Sequence, residues 1–256
     1  MIILSLTIGY ENYNNFGSKM IIINDKGWDN VEVYFPEYNW IYKKTTRQHF
    51  LKGVIKCPYE KRYYNIGYLG EGKYKASENN KSTKCYNTWN NMLKRCYDEK
   101  VHKKYPTYIG CSVCEEWHNF QNFAKWYEEN YYEVEGEVMC LDKDILCKNN
   151  KIYSPSTCIF VPKSINSLFV KSDSSRGSLP IGVQWDKKHN KYRIQTHINK
   201  KLTTVKRVDT IEEAFDIYKK IKEDEIKYVA DDYYSKGLIP KKLYDAMCNY
   251  KININD

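Results

Sequence analysis

The stretch from Leu179 to Tyr218, LPIGVQWDKKHNKYRIQTHINKKLTTVKRVDTIEEAFDIY, decides how the C-terminal third of this chain is read. Tyr192, Ile194, Thr196 and Ile198 alternate with Arg193, Gln195 and His197, and a period of two puts the two sets on opposite faces of a strand. Residues 181–185 read as a strand before it, ending in the turn-like DKKHN, and residues 202–208 as a third strand after it. Thr210-Ile-Glu-Glu213 is a capping box, in which a hydroxyl serves the amide three residues on. Ala214, Phe215, Tyr218 and Ile221, then Tyr228 and Val229, follow at helical spacing. Three strands and a helix make a two-layer unit with one sheet face covered. The other face is expected to present Arg193, Gln195 and His197, with Gln184, Thr204 and Lys206 beside them and Lys187 in the turn. Those side chains have the donors and acceptors that read base edges and phosphates.

The charge pattern agrees. The 256 residues carry 41 Lys+Arg against 32 Asp+Glu, a net +9. Residues 178–208 alone hold a net +7, and residues 209–232 a net −5, so a basic sheet is followed by an acidic helix. A local basic surface is an electrostatic footprint for nucleic acid. The length suggests two or three modules. Mean hydropathy is −0.73, and no apolar stretch approaches the roughly 18–20 residues a membrane span requires, which excludes a transmembrane helix. Hydrophobic residues at 42% and aromatics at 15% exclude wholesale disorder. The N-terminus has no Lys or Arg ahead of its apolar residues, so it makes a poor signal peptide and reads as a first strand. Nine Cys without such a signal point to reduced thiols in a cytoplasm, or to metal ligands.

With that context, GVQWDKKHNKYRIQTHINKK…VDTIEEAFDIY resembles the APETALA/ethylene-response-factor-type DNA-binding domain found appended to phage and homing endonucleases. The resemblance implies docking on double-stranded DNA by the three-stranded sheet. The usual aromatic-glycine step before the helix is replaced here by Lys206-Arg207-Val208.

Upstream, Trp89, Met92, Leu93 and Cys96 fall at helical spacing, as do Trp117, Phe120, Phe123, Ala124 and Tyr127. MCLDKDILCKNNKIYSPSTCIFVP then reads as a strand, an Asn149-Asn150 turn of hairpin type, and a short helix begun by Ser154-Pro155. Asp142 and Asp144 would gather there as an oxygen-rich corner able to hold a divalent metal, Mg²⁺ or Mn²⁺, beside a scissile phosphate. Residues 85–170 resemble the phage HNH endonuclease family in W-x-x-M-x-x-R-C-Y, V-C-x-x-W-x-N-F, L-D-x-D-I and Y-S-P-x-x-C. The resemblance implies a ββα fold, a metal-binding aspartate at Asp142, and a general-base histidine after it. Lys143 stands where that histidine should be, and Thr157 where an asparagine is usual. A lysine with its ordinary pKa of about 10.4 is a poor base at neutral pH. It is better suited to neutralising a phosphate. His102 or His118 is then the candidate replacement. Cys111-Ser-Val-Cys114 with Cys96 and Cys158 is a candidate structural zinc set, against the simpler reading of buried thiols.

The fold expectation is therefore α+β and multi-domain. A small β-barrel-like module of Tudor type spans 1–69, the HNH-like module 82–170, the sheet-plus-helix module 179–234, and a tail with a short helix 235–256. Residues 70–84 and 171–178 read as polar linkers. Two functions stay open: a metal-dependent homing or nicking endonuclease, or a catalytically inactive DNA-binding regulator or inhibitor of a host or defence protein. Either would act in the cytoplasm of a bacterial host cell.

Overall fold

Alternation at residues 19–25 and 31–35 explains the first element of the architecture. The computed structural model describes residues 7–27, 29–170, 178–198 and 201–256, with backbone only at 197, 198 and 201. Strands β1 (Glu11–Tyr13), β2 (Lys19–Asp25), β3 (Val31–Phe35) and β4 (Trp40–Thr45) form an antiparallel sheet in sequence order. Met20, Ile22, Val31, Val33 and Phe35 turn to one side and bury against Phe50 of helix α1 (Arg47–Leu51), Ile55 and Cys57. The expected barrel does not close among the described residues. β1 is three residues long and pairs with β2 alone, so β1 and β4 remain the two edges of an open sheet. The first-strand expectation for residues 1–6 lies outside the described residues.

The stretch 70–84, expected as a linker, is instead built onto the fold. Gln121 accepts from the Tyr74 amide at 3.1 Å and donates to the carbonyls of Leu69 and Tyr74 at 3.3 and 3.0 Å. Strands β5 (Ser77–Glu78) and β6 (Lys81–Ser82) close a hairpin on Asn79 and Asn80, whose φ values of 49° and 60° suit a two-residue hairpin turn. Thr83 then caps α2 (Lys84–Tyr97) through the Tyr86 amide. As the spacing predicts, α2 buries Trp89, Met92, Leu93 and Cys96, and α4 (Phe120–Asn130) buries Phe120, Phe123 and Ala124. The Trp89 indole donates to the Trp117 carbonyl at 2.7 Å, which satisfies its polar edge inside an aromatic core. Between them lie α3 (Glu99–Lys104) and β7 (Ser112–Val113).

Strand β8 (Met139–Asp142) pairs antiparallel with β10 (Ile159–Pro162), and α5 (Lys163–Ser167) follows directly. A ββα unit is therefore present. Its second strand is not the one the Asn149-Asn150 turn suggested. Asn149 does adopt φ 62°, but β9 (Ile152–Tyr153) pairs in parallel with β7, and residues 155–157 form a turn where a helix was expected.

The C-terminal sheet runs β11 (Val183–Asp186), β12 (Lys191–Ile198) and β13 (Lys201–Val208), antiparallel in that order. Helix α6 (Ile211–Ser235) begins at Thr210, whose hydroxyl accepts from the Glu213 amide at 3.2 Å. Its first half packs Ala214, Phe215 and Tyr218 on Val183, Ile194 and Val208. Its second half packs Ile226 and Ala230 with Ile145, Ile159, Val161 and Ile165 of the ββα unit and with Leu243 and Met247 of α7 (Lys241–Cys248).

The chain divides into two units, residues 1–129 with 151–155, and residues 130–150 with 156–256. One 25-residue helix thus supplies both the sheet and the ββα strands with a core wall. The segment 82–170 is accordingly shared between units, and 179–234 belongs with the ββα strands. The expected 171–178 linker falls, up to residue 177, outside the described residues.

Candidate nucleic-acid interface

Register across β11–β12–β13 decides which side chains leave the helix-covered face. Ile194 is fully buried under α6, so its neighbours Arg193 and Gln195 point the other way. Gln184 lies opposite Arg193 on β11, and Arg207 opposite Arg193 on β13. The Arg193 Nη2 donates to Gln184 Oε1 at 2.6 Å, while its Nε is buried without a hydrogen-bond partner. Gln195 donates to Thr204 Oγ1 at 3.2 Å. Gln184, Arg193, Gln195 and Thr204 thus share the open face, as expected.

Lys206 does not. It pairs with Ile194 in the register and so sits on the helix side, where its ammonium meets Glu213 at 3.2 Å. The cause is a β-bulge: pairing jumps from Ile194–Lys206 to Gln195–Thr204, leaving Val205 over. Two residues apart normally share a face, and the bulge breaks that rule. Arg207 takes the place expected of Lys206 and was the residue missed. His197 pairs with Leu202 through its backbone, and its side chain lies outside the described residues. Lys187 stands exposed in the turn after β11.

A carboxylate within the face carries several of its contacts. Asp186 accepts from Arg207 Nε at 2.8 Å, from His189 Nδ1 at 2.9 Å and from the Lys188 amide at 3.1 Å. The Arg207 guanidinium, with His189 second, holds the Asp186 carboxyl well below the usual carboxylate range. Arg207 is therefore neutralised, whereas among the described residues the side-chain partner of Arg193, directly across from it, is the Gln184 amide. Like charges directly opposite on a sheet are destabilising.

The Asp142 region is arranged differently from the sequence expectation. Asp142 Oδ1 accepts from the amides of Asp144 and Ile145 at 2.8 and 2.7 Å, fixing the chain as it leaves β8. Burial pushes the Asp142 carboxyl above its ordinary value, and the two amides only partly offset that. Lys143 is 6% exposed, and its ammonium donates to both oxygens of Asp144 at 2.8 and 2.7 Å and to the Asn150 carbonyl at 2.8 Å. Asn150 returns a hydrogen bond to the Lys143 carbonyl at 3.0 Å. Lys143 is thus a clasp on the 143–150 loop, with no donor left for a phosphate.

Both Asp144 oxygens accept from that ammonium, whose positive charge opposes a divalent ion held jointly by Asp142 and Asp144. His102 Nε2 lies 2.9 Å from the Arg95 carbonyl and His118 Nε2 3.1 Å from the Val113 carbonyl, so each ring uses that nitrogen as a donor to the backbone. Cys96, Cys111 and Cys158 are buried, and burial pushes the half-buried Cys114 thiol up. Among the described residues no three His, Cys, Asp or Glu side chains converge where an ion could sit, so the four-thiol zinc set is not assembled there.

These features define a two-unit α+β protein with a three-stranded sheet whose uncovered face is basic. Comparison with family models, with curated proteins and with solved structures gives no match for this chain. Among the described residues no helix is long and apolar enough to cross a membrane.

Proposed function

We propose that the chain binds double-stranded DNA through the open face of β11–β12–β13. The observation that carries this reading is the Arg193–Arg207 pair, set directly opposite across two strands with Asp186 neutralising only Arg207. A phosphate or a guanine edge relieves the Arg193 charge and takes up its remaining donors. Gln184, Gln195 and Thr204 supply neutral donors and acceptors alongside. Arg193→Ala should weaken binding of a fluorescein-labelled duplex about 5–150-fold, the range for a specific Arg contact of about 1–3 kcal/mol. If Arg193 meets a phosphate, the slope of log affinity against log salt should also shallow by about 0.9. Unchanged affinity in both Arg193→Ala and Gln195→Ala sinks the sheet-face reading.

A second reading, phosphodiester cleavage in the ββα unit, is supported by Asp142. Asp142 is half-buried at the position where the HNH resemblance has its metal-binding aspartate, and a carboxyl held above its ordinary value by desolvation is the kind of group found at reactive sites. With a raised folded pKa, Asp142 favours folding only at low pH, and that contribution is lost as pH rises through the folded value. Asp142→Asn preserves an acceptor for both amides, so at pH 7 it should melt at or above the native temperature. The gap should close below about pH 4. Plasmid nicking with Mg²⁺ or Mn²⁺, abolished in Asp142→Asn, supports the enzyme. Tight duplex binding with no nicking under either metal leaves a DNA-binding regulator, or an inhibitor of a host or defence protein.

A further inference from the structure

The tip of the β1–β2 turn carries a feature that the C-terminal sheet does not explain. Phe16 is half exposed there, with the Arg62 guanidinium 5.1 Å and the Lys56 ammonium 5.7 Å from its ring centroid. A large apolar ring on a turn tip gains little from folding, so its surroundings matter. The turn is held rigid from beneath by Asn14, which is 5% exposed. Asn14 Oδ1 accepts from the amides of Phe16 and Ser18 at 3.0 and 2.9 Å, and its Nδ2 donates to the Ile55 carbonyl at 3.0 Å and to Glu60 Oε1. The Asn15 amide is tied to the Gly53 carbonyl at 2.7 Å, and Gly17 supplies the positive φ of 89° that brings the chain back.

Burial alternates along the supporting segment, residues 52–57, which leaves α1 through a turn at Lys52 and Gly53. Gly53, Ile55 and Cys57 face inward, while Lys52, Val54 and Lys56 face solvent, and Lys61 is exposed just beyond. The neighbouring carboxylate, Glu60, is 2% exposed and turned inward, 3.6 Å from Arg62 Nε. Acid is thus hidden and base displayed around a fixed aromatic ring.

We propose that this turn is a second nucleic-acid contact, specific for unpaired bases: a base stacks on Phe16 while flanking phosphates meet Lys56, Lys52 and Lys61. Single strands are bound by this combination of an aromatic platform and cations along the backbone path. A duplex keeps its base faces stacked and offers a lone ring nothing to stack on. The proposal does not rest on the sheet-face reading, which concerns duplex DNA.

The test uses the full chain and a fluorescein-labelled dT12 probe followed by anisotropy, with a duplex of equal length in parallel. Phe16→Ala should weaken dT12 binding about 5–150-fold, the range for one lost stack, and leave duplex affinity unchanged. Phe16→Tyr should bind as the native chain does. Lys56→Ala should shallow the single-strand salt slope by about 0.7. Arg193→Ala should spare dT12, which separates failure here from failure of the sheet reading. Native-like dT12 affinity in Phe16→Ala overturns the proposal, as does an equal loss on dT12 and duplex.

Discussion

Gly182→Ala is expected to melt the second unit at a much lower temperature than the native chain and to take duplex binding with it. Gly182 sits at φ 77°, where an L side chain is strained by roughly 1–2 kcal/mol. A Cβ built there would overlap the Tyr218 ring of α6, and backbone and aromatic ring cannot both yield inside a packed layer. Overpacking of this kind costs about 1–3 kcal/mol more. The expected total is about 2–5 kcal/mol. Gly182 also accepts from the Gln195 amide at 2.9 Å through its carbonyl, so a shift of its backbone is passed to the strand that carries Arg193 and Gln195. Gly237→Ala is the control. It has a similar φ of 68° but nothing within 4 Å of the added carbon, so it should lose only about 1–2 kcal/mol and keep duplex affinity. Thermal melts with duplex titrations of both variants check this. Equal losses would show that strain, and not the fit of α6 on the sheet, sets the effect.

Lys143→Met is expected to be the next most damaging change. Methionine keeps the apolar stem but removes the ammonium that joins both Asp144 oxygens to the Asn150 carbonyl. Breaking a buried pair costs about 3–5 kcal/mol. Asp144 is 51% exposed, so water recovers part of that, and about 2–3 kcal/mol is the expected loss, or about 10 °C in Tm. The direction matters for function. If Lys143 instead met substrate phosphate, Lys143→Met would leave Tm unchanged and weaken DNA binding. Lys143→His should destabilise similarly, because an imidazole cannot reach three acceptors in the clasp. Hydrogen exchange confined to residues 142–150 would show the loop released.

Local pattern was enough for the elements whose partners are near in sequence. The alternation at 192–198, the capping box at Thr210 and the helical spacing of Trp89, Met92, Leu93 and Cys96 all appear where residue order predicts them, because each depends on a repeat set by its own backbone. The basic open face was legible for the same reason, through Arg193 and Gln195. Lys206 and Arg207 were exchanged because one bulge residue, Val205, shifts every face after it, and a bulge is a property of two strands together.

The remaining assignments needed the tertiary structure. LDKDIL reads as an acidic, metal-ready corner, yet whether an aspartate is open or occupied depends on where an ammonium lands, and Lys143 lands on Asp144. Residues 70–84 read as a linker from composition, but Gln121, nearly fifty positions from Tyr74, supplies the hydrogen bonds that dock it. The N-terminal strands were evident from their side chains, while open sheet or closed barrel depends on whether β1 reaches β4, which no local repeat encodes. The chain's order therefore determines its strands, helices and basic face, since those follow from backbone periodicity and charge. Which polar groups satisfy one another, and so which remain for a ligand, is decided only when distant segments meet, because a hydrogen bond or ion pair is a matter of distance in space.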